Sequence, residues 1–379
     1  MLRAIAVATA VMAGALPAAA SDLGRPSEGF VYFHQAGADL ASHRAAVRSC
    51  LVEASKMLSL YMPSTGGIIG NLVQAPMQNN IQRLHLAANV ENCMVSRGWN
   101  VMRLDEASGA EIAAMAPEAQ AQALSSWIGA SAPEGETVRR FEPLGVLQWA
   151  RAVGPFDKGR QSLSVTASWD EPIAEPRDLS PKLTMKSIKP AARASAVAPG
   201  TTVIVVRATG LTGSQQISVA FSPLRPAGEA GEAPIIVAGS PFKAFAKAGN
   251  RIEKVYVFEV PPGRWRMVGA GPATLCLGGP GFDVMPGDAV FAGSFNAGAP
   301  EAYAPGLDIQ SVAPALAGTE IGARLKPATY VNGLTNPCEQ FPATYLYAHE
   351  VPGAPYLAGG PRPGHAVGIG SGGEAGRGE

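Results

Sequence analysis

Two arginines on either side of a tryptophan are the residues of this chain best placed to bind a partner. Arg264, Trp265 and Arg266 follow Pro261-Pro262-Gly263. Residues two apart on a strand share one face, where two guanidinium groups can bind an anion. The alternative is a structural hairpin, since Pro-Pro-Gly suits a tight turn. We favour the hairpin, with Glu259 facing Arg264 and Trp265 pointing inward, and keep Arg264, Trp265 and Arg266 as candidate anion or partner contacts.

Other patterns that could support catalysis are incomplete. Ser240-Pro-Phe-Lys243 matches the Ser-x-x-Lys of penicillin-recognising serine enzymes, but the Ser-Asp-Asn and Lys-Thr-Gly partners do not occur in the chain. The histidines are scattered, so we expect His43 and His85 to be packed or solvated rather than to bind zinc. We therefore predict no catalytic residue, no metal and no cofactor. A carboxylate pair for glycoside hydrolysis, assembled from distant positions, stays open.

The composition excludes some classes of partner. Lys and Arg number 30, as do Asp and Glu, so the net charge is zero and no overall field attracts nucleic acid. Charged residues make up 16% of the chain, below the roughly 25% that is usual, while Gly and Pro number 44 and 32. Low charge with many turn-forming residues favours β-structure joined by loops. We expect no binding to nucleic acid.

The first residues have the form of a secretory signal peptide. Arg3 precedes an apolar run, and Ala18-Ala19-Ala20 offers the small residues that a signal peptidase recognises. We predict a signal peptide over 1–20, cleaved before Ser21. The apolar run of about 13 residues is too short to span a bilayer, and no later segment approaches a spanning length without Pro, Gly or a charged residue. We expect a periplasmic or secreted protein with no membrane-spanning segment in the mature chain.

The four cysteines agree with an oxidising compartment. Cys50 and Cys93 lie in the first part of the chain, and Cys276 and Cys338 lie in the last. An even number of cysteines in an exported protein favours disulfides, and three pairings are possible from sequence alone. We prefer Cys50–Cys93 and Cys276–Cys338, because neither bond then crosses between domains. Each bond is expected to contribute roughly 3–5 kcal/mol by closing a long loop.

Helical patterns dominate the segment 21–105, which we predict to be a domain. Apolar residues recur every three or four positions over 39–61, with Asp39 as the N-cap. A second helix is predicted over 77–97 and ends at Gly98, a residue suited to the position after a helix. We expect an antiparallel helical hairpin, which a disulfide between the first two cysteines would staple.

The hairpin segment resembles a pattern in small exported bacterial proteins. Here the pattern is "CLVEA" from Cys50, followed after a glycine-containing stretch by "CMVSRGW" from Cys93. In those proteins one helix carries a cysteine and the next ends in Cys-Met-x-x-Arg-Gly-aromatic. Many of them carry a longer glycine zipper, of which only Gly66, Gly67 and Gly70 remain here. The resemblance implies a stapled hairpin, and the shorter glycine stretch is a departure from the pattern that argues against a membrane-inserting role of the zipper.

The rest of the chain divides by composition. An Ala- and Pro-rich region with short helices covers 106–200 and ends in a linker over 189–200. From 201 to 352, short runs of Val, Ile, Phe and Tyr alternate with Gly and Pro, which is typical of an antiparallel β-sandwich. Residues 353–379 have the composition of a disordered tail. The predicted fold class is therefore α+β in two parts.

The second part resembles the prealbumin-like β-sandwich domains of bacterial envelope proteins. The resemblance rests on "YVFEVPPGRW" from Tyr256 and "FDVMPGDAVFAGSF" from Phe282. Those domains repeat a strand ending in Pro-Gly-aromatic, a Gly-Asp or Gly-Glu turn and an aromatic-x-Gly strand. The motifs are structural turns, so the resemblance implies a fold and supplies no catalytic residue. The pair of cysteines in this part is not a general feature of such domains.

Two classes of function follow from these patterns. The preferred one is a non-catalytic exported envelope protein that acts as a structural or protein-interaction module with an unidentified envelope partner. The alternative is a periplasmic hydrolase, or a protein that binds a small ligand or carbohydrate, with a site formed by scattered residues. Trp265, Phe291 and Tyr303 are the aromatic candidates for such a ligand.

Overall fold

The chain folds into a mixed α+β structure. The computed structural model describes residues 26–58, 84–143, 163–164, 189–190, 197–211, 218–224, 235–238, 252–271, 273–296, 303–338 and 345–364. The predicted signal peptide over 1–20, the Ser240–Lys243 motif and residues 191–196 of the predicted linker lie outside these ranges. No helix within them is both long and apolar enough to cross a membrane.

Helices and a small sheet form the first part of the fold, which we call the helical unit. Its helices are α1 (Leu40–Leu58), α2 (84–96), α3 (Glu106–Ala113) and α4 (Pro117–Ile128). Its strands are β1 (Phe30–His34), β2 (Asn100–Arg103), β3 (Glu136–Arg139) and β4 (Leu163–Ser164). They lie in the order β3-β2-β1-β4, with β1 antiparallel to β2 and parallel to β4.

The ends of α1 and α2 follow the expected sequence signals. Asp39 caps α1, since its carboxylate accepts hydrogen bonds from the backbone N–H and the hydroxyl of Ser42 at 2.7 and 2.6 Å. Gly98 ends α2 with a φ of 88°, which other residues rarely adopt. Val47 and Ala54, on the predicted apolar stripe of α1, are buried. Local signals therefore predict both helices.

The small sheet is a departure from the expected helical segment. Four of the five residues of β1 are buried, so this strand lacks the alternation by which a strand is recognised. β2 pairs with β3 across the predicted boundary between residues 105 and 106. Residues on both sides of that boundary therefore belong to one hydrogen-bonded sheet.

Strands after residue 188 form two further sheets, which together we call the two-sheet unit. Its strands are β5 (Lys189–Pro190), β6 (Val203–Leu211), β7 (Val219–Pro223), β8 (Ile236–Ala238), β9 (Ile252–Glu259), β10 (Gly263–Ala270), β11 (Ala273–Val284), β12 (Ala289–Asn296), β13 (Leu325–Pro327), β14 (Val331–Leu334) and β15 (Tyr345–Ala348). One sheet has the order β13-β12-β6-β9-β5; the other has the order β14-β11-β10-β7-β8, with β15 also paired to β11. Two short helices, α5 (Ala313–Leu316) and α6 (Glu320–Ala323), lie between β12 and β13.

Side chains from the two sheets meet in one apolar cluster. Val206 and Phe258 come from one sheet, Phe221 and Trp265 come from the other, and none is more than 4% exposed. Strand pairing is mixed rather than purely antiparallel, since β12 runs parallel to β6 and β13, and β15 runs parallel to β11. Alternation in the sequence identifies a strand but not the direction of its neighbour, so it could not predict this difference.

The Pro-Pro-Gly turn does not close a hairpin, so that prediction is wrong. β9 pairs with β5 and β6, whereas β10 pairs with β7 and β11 in the other sheet. Pro261-Pro262-Gly263 therefore carries the chain from one sheet to the other, and Gly263 has a φ of 138°, in the positive region that suits glycine in a turn. Turn residues favour a reversal of the chain, but pairing depends on where each apolar face can be buried.

Both disulfides form in the preferred pairing. Cys50–Cys93 links α1 to α2, and Cys276–Cys338 links β11 to the segment after β14. All four cysteines are buried, and together with Leu346 of β15 they belong to an apolar cluster that continues through the helical unit. The helical unit and the two-sheet unit therefore share a core.

Residues 351–364 form an ordered segment, which we call the C-terminal strap. The tail that the sequence predicts as disordered from residue 353 is thus ordered as far as Gly364. Backbone hydrogen bonds tie the strap to Asn332 in β14 and to Ser96 in α2. Gly- and Pro-rich composition predicts disorder from a lack of apolar residues, but it does not account for hydrogen-bonding partners elsewhere in the fold. The remainder of the predicted tail lies outside the described ranges.

Candidate functional site

Arg264 stands at the beginning of β10 and forms an ion pair with the neighbouring strand. Its Nε and Nη2 atoms donate to the two carboxylate oxygens of Asp283 in β11, both at 2.7 Å. The expected partner was Glu259, but β11 rather than β9 lies beside β10. The hydrogen bond from Arg264 lowers the pKa of Asp283 below its usual value. The side chain of Arg264 is 33% exposed, so solvent reaches it.

Trp265 and Arg266 are buried and cannot serve as surface contacts. Trp265 lies in the cluster between the sheets, as predicted, and its Nε1 donates to the carbonyl of Pro261 at 3.1 Å. Arg266 is 6% exposed, and its Nη1 donates to the carbonyl of Thr335 at 2.5 Å. Burial lowers the pKa of Arg266 to about 10, so its side chain is still charged at neutral pH. The two arginines therefore do not form one exposed anion site.

Arg324 ties together the turns at this end of the two-sheet unit. Its Nη1 donates to the carbonyl of Gly287 in the turn between β11 and β12. Its Nε lies 3.0 Å from the carboxylate of Glu320. Next to this pair, the Nζ of Lys326 lies 2.8 Å from the carboxylate of Asp288. These charges neutralise one another, so the surface that they form has little net charge.

An open groove of about 670 Å³ lies beside Arg324, between α5, α6 and β13. Its lining is mostly apolar and includes Ile309, Ala313, Leu316, Ala317 and Leu325. Glu320 supplies a carboxylate to the lining, where it also accepts a hydrogen bond from the N–H of Gly200 at 3.1 Å. Sites for small molecules typically have volumes of roughly 300–1,000 Å³. The groove is therefore large enough to accept a small apolar ligand or a few side chains.

Met285 adds an exposed apolar side chain to this end of the molecule. It lies in the turn between β11 and β12 and is 60% exposed. The same turn is hydrogen-bonded to Arg324 through Gly287, next to the groove. Methionine side chains are flexible and polarizable, which suits contact with apolar surfaces of varied shape. We define the candidate site as the groove together with Met285.

The cysteines and histidines that the structure describes are all buried. Every cysteine is in a disulfide, and the described residues contain no cluster of three or more potential metal ligands. His43 and His349 are at most 2% exposed, and burial lowers the pKa of each to about 4, so both rings are neutral at pH 7. The lining of the groove offers one carboxylate, from Glu320, and contains neither an imidazole nor a thiol.

The chain matches no protein-family model, no curated protein and no solved structure. The two family resemblances therefore stay predictions, and the candidate site rests on its own geometry. Trp265, Phe291 and Tyr303, the aromatic candidates for carbohydrate contact, are at most 2% exposed. A ligand that stacks on aromatic rings would not reach these three side chains.

Sequence reasoning missed a buried polar network around α2. Glu91 of α2 and Arg139 of β3 form an ion pair at 3.3 Å, with side chains 2% and 6% exposed. The Glu91 carboxylate also accepts hydrogen bonds from the N–H and the hydroxyl of Ser27, and Asn92 accepts one from Arg139. Burial raises the pKa of Glu91, and the charge of Arg139 opposes that change. Polar residues on a helix would normally indicate an exposed face, which explains why this network was not predicted.

The same helix contacts the two-sheet unit through polar side chains. The Oδ1 of Asn89 accepts a hydrogen bond from the backbone N–H of Leu346 in β15 at 3.0 Å. The His85 ring lies edge-on to the Tyr345 ring, with 5.6 Å between their centroids. α2 also contacts α1 through the Cys50–Cys93 bond and β3 through the pair of Glu91 with Arg139. This helix joins the two units.

Proposed function

We propose that this chain is a non-catalytic protein exported to the bacterial envelope, where it acts as a structural or protein-interaction module. The observation that carries the proposal is the core shared by both disulfides, whose four cysteines are at most 5% exposed. Disulfides persist in oxidising compartments such as the periplasm, which agrees with the predicted signal peptide. A continuous apolar core between two units favours a rigid support over two freely moving domains.

The architecture that we propose is a disulfide-stapled helical hairpin joined to a prealbumin-like β-sandwich. The bond between Cys50 and Cys93 supports the hairpin, because it links α1 to α2. The apolar cluster between the two sheets supports the sandwich. Both are the folds that the two family resemblances imply, and neither resemblance brings a catalytic residue with it.

The contact surface that we propose is the candidate site, formed by the groove and Met285. Its lining is mostly apolar, and the charges around it are paired with one another. Such a surface suits an apolar segment of a neutral envelope protein better than a strongly charged partner. Exposed apolar side chains beside a groove are typical of protein contact sites.

Site-specific photo-cross-linking in living cells tests this role. A photoreactive residue replaces Gln310, which is exposed and lines the groove, and a matched control replaces Glu118, which is exposed on α4. The proposal predicts that one envelope protein is captured in stoichiometric amount at Gln310 and not at Glu118. The same digest, analysed without reduction, should contain both disulfides. Capture of nothing at Gln310 by a fully oxidised protein would contradict the interaction role.

The volume of the groove favours one second candidate, the binding of a small apolar ligand. Ala313→Trp would fill the groove, since Ala313 is exposed and lines it. Ala315→Trp is the matched control, because Ala315 is exposed on the same helix but is not part of the lining. A ligand that raises the melting temperature of the native protein and of Ala315→Trp, but not of Ala313→Trp, would support this candidate. Equal responses in all three proteins would exclude the groove as its site.

A further inference from the structure

The C-terminal strap lies along the outer edge of β14 as a short extra strand. Among the described strands, β14 is the last in its sheet and pairs with β11 alone. The backbone N–H of Asn332 donates to the carbonyl of Pro355 at 2.8 Å, and the N–H of Leu357 donates to the carbonyl of Asn332 at 2.9 Å. These two bonds form a parallel bridge between Asn332 and Tyr356. The chain thus covers the edge of its own sheet.

The side chain of Asn332 holds the beginning of the strap. Its Nδ2 donates to the carbonyls of Val351 and Ala354 at 3.0 and 3.1 Å, and its Oδ1 accepts from the N–H of Val351 at 2.9 Å. Asn332 is 2% exposed, so these bonds are shielded from water. One residue therefore supplies both the backbone and the side-chain atoms that recognise the strap.

Close backbone contact continues beyond Asn332. Gly333 has a φ of 86°, and a Cβ at this position would lie 3.0 Å from the carbonyl oxygen of Pro361. A glycine here allows the strap to approach the strand directly. At its far end the strap reaches the helical unit, where the N–H of Gly364 donates to the carbonyl of Ser96 at 3.2 Å.

The strap buries few of its own side chains. Val351 and Pro363 are buried, whereas the other residues of the strap are half-buried or exposed. Main-chain hydrogen bonds rather than a large apolar contact therefore hold the strap in place. Binding of this kind is the mode by which an extended peptide adds to the edge of a sheet.

We propose that the edge of β14 is a strand-acceptor site, which the strap of the same chain fills in the monomer and the strap of a second copy can fill in its place. A second copy offers the same residues and so forms the same hydrogen bonds, which is the basis of domain swapping. The connection is suitable, since Pro352 and Gly353 are exposed and nothing lies within 4 Å of a Cβ at Gly353. This surface is separate from the groove, so the inference goes beyond the proposed function and can fail independently of it.

A cut in this connection, made after folding, tests the acceptor site on the full chain. A protease recognition sequence is inserted between Pro352 and Gly353, and the purified protein is cleaved. A fluorescent peptide with the sequence of residues 353–364 is then added, and its anisotropy is followed. The proposal predicts saturable binding as the labelled peptide displaces the cleaved strap, and competition by the unlabelled peptide. Failure of excess peptide to displace the strap would overturn it.

Two peptide variants distinguish strand addition from non-specific binding, and they leave the protein unchanged. Leu357→Pro in the peptide removes the N–H that donates to Asn332, so binding should weaken by at least about tenfold. Ala358→Pro is the matched control. The N–H of Gly360 bonds to the carbonyl of Leu357, so residue 358 occupies the turn position that favours proline. Equal affinities for the two variants would also overturn the proposal.

Shortening the connection tests the second copy as the donor. Deletion of Pro352 and Gly353 should prevent residues 354–364 from reaching the edge of β14 in their own chain, while the edge of a neighbouring chain remains within reach. Light scattering should then show dimers or larger assemblies that the free strap peptide dissociates. If this variant is a folded monomer at its highest soluble concentration, exchange between copies is contradicted.

Discussion

Arg139 and Glu91 pair in the interior at 3.3 Å, whereas Arg264 and Asp283 pair at the surface at 2.7 Å. The interior side chains are 6% and 2% exposed, and the surface ones are 33% and 54% exposed. The shorter contact should contribute less to stability, because water already solvates both of its charges. Removal of one interior partner, by contrast, leaves the other charge buried without compensation.

The two regions also differ in what surrounds each pair. The interior pair belongs to a network with Ser27 and Asn92, in which one side chain supports the next. The surface pair joins β10 to β11, and the position of these strands depends on turns and apolar packing. We therefore expect the helical unit to depend on a complete polar network, and the exposed end of the two-sheet unit to tolerate the loss of a charge.

The largest effect is expected from Arg139→Ala. This change leaves the Glu91 carboxylate buried without its cation, so the free energy of unfolding should fall by about 3–5 kcal/mol, as measured with urea. A double variant, Arg139→Met with Glu91→Leu, should recover much of this loss, since both charges are then absent. Exposed ion pairs contribute less than about 1 kcal/mol. If Arg139→Ala lowers the free energy of unfolding by no more than this, the interior pair is no more important for stability than the surface pair.

Acid should destabilise the same interior through His43. Its ring lies 5.4 Å from that of Trp99, and its pKa is lowered to about 4 by burial and, to a smaller extent, by Arg44. Between pH 6.5 and about 4 the unfolded chain therefore binds a proton that the folded chain does not. As the pH is lowered through this window, this group should decrease the free energy of unfolding by about 1.4 kcal/mol per pH unit. The slope of unfolding free energy against pH should decrease in His43→Leu; an unchanged slope would show that His43 is not the group responsible.

A moderate effect is expected at the turn before β10. Gly263 has a φ of 138° and no atom within 4 Å of an added Cβ, so backbone strain alone opposes substitution. Gly263→Val should lower the unfolding free energy by about 1–3 kcal/mol. Gly306→Ala is the control, since Gly306 has no positive φ and leaves ordinary room for a Cβ. Unchanged melting of Gly263→Val would mean that the turn does not hold this conformation.

The smallest effect is expected from Arg264→Ala. The loss of an exposed pair with Asp283 should change the unfolding free energy by at most about 1 kcal/mol, and the change should shrink further at high salt. A double-mutant cycle with Asp283→Asn measures the coupling directly. A coupling as large as that between Arg139 and Glu91 would remove the difference between the two regions.

Much of the local structure could be predicted from the sequence. The cap at Asp39, the helix end at Gly98, the positive φ of Gly263 and the burial of Trp265 all follow from signals within a few residues. The disulfide pairing also agrees with prediction, because each bond joins residues within one part of the chain. These features depend on short-range geometry that the residue types themselves determine.

What the sequence could not predict depends on contacts between distant residues. Arg264 was expected opposite Glu259, yet the strand beside it is the one that carries Asp283. The composition of the strap predicts disorder, and Asn332, its main partner, gives no signal of that role in the sequence. The candidate site was missed for a related reason, since the groove brings α5, α6 and β13 together and Met285 is contributed by a separate turn.

Hydrogen exchange of the native protein tests most directly the central claim, that α2 joins the two units into one scaffold. The account predicts that the slowest amides of α2 and of β11 open with the same free energy, which is that of global unfolding. Arg139→Ala should lower both values by the same amount. The account is contradicted if α2 loses its protection in this variant while β11 keeps the value of the unmodified protein.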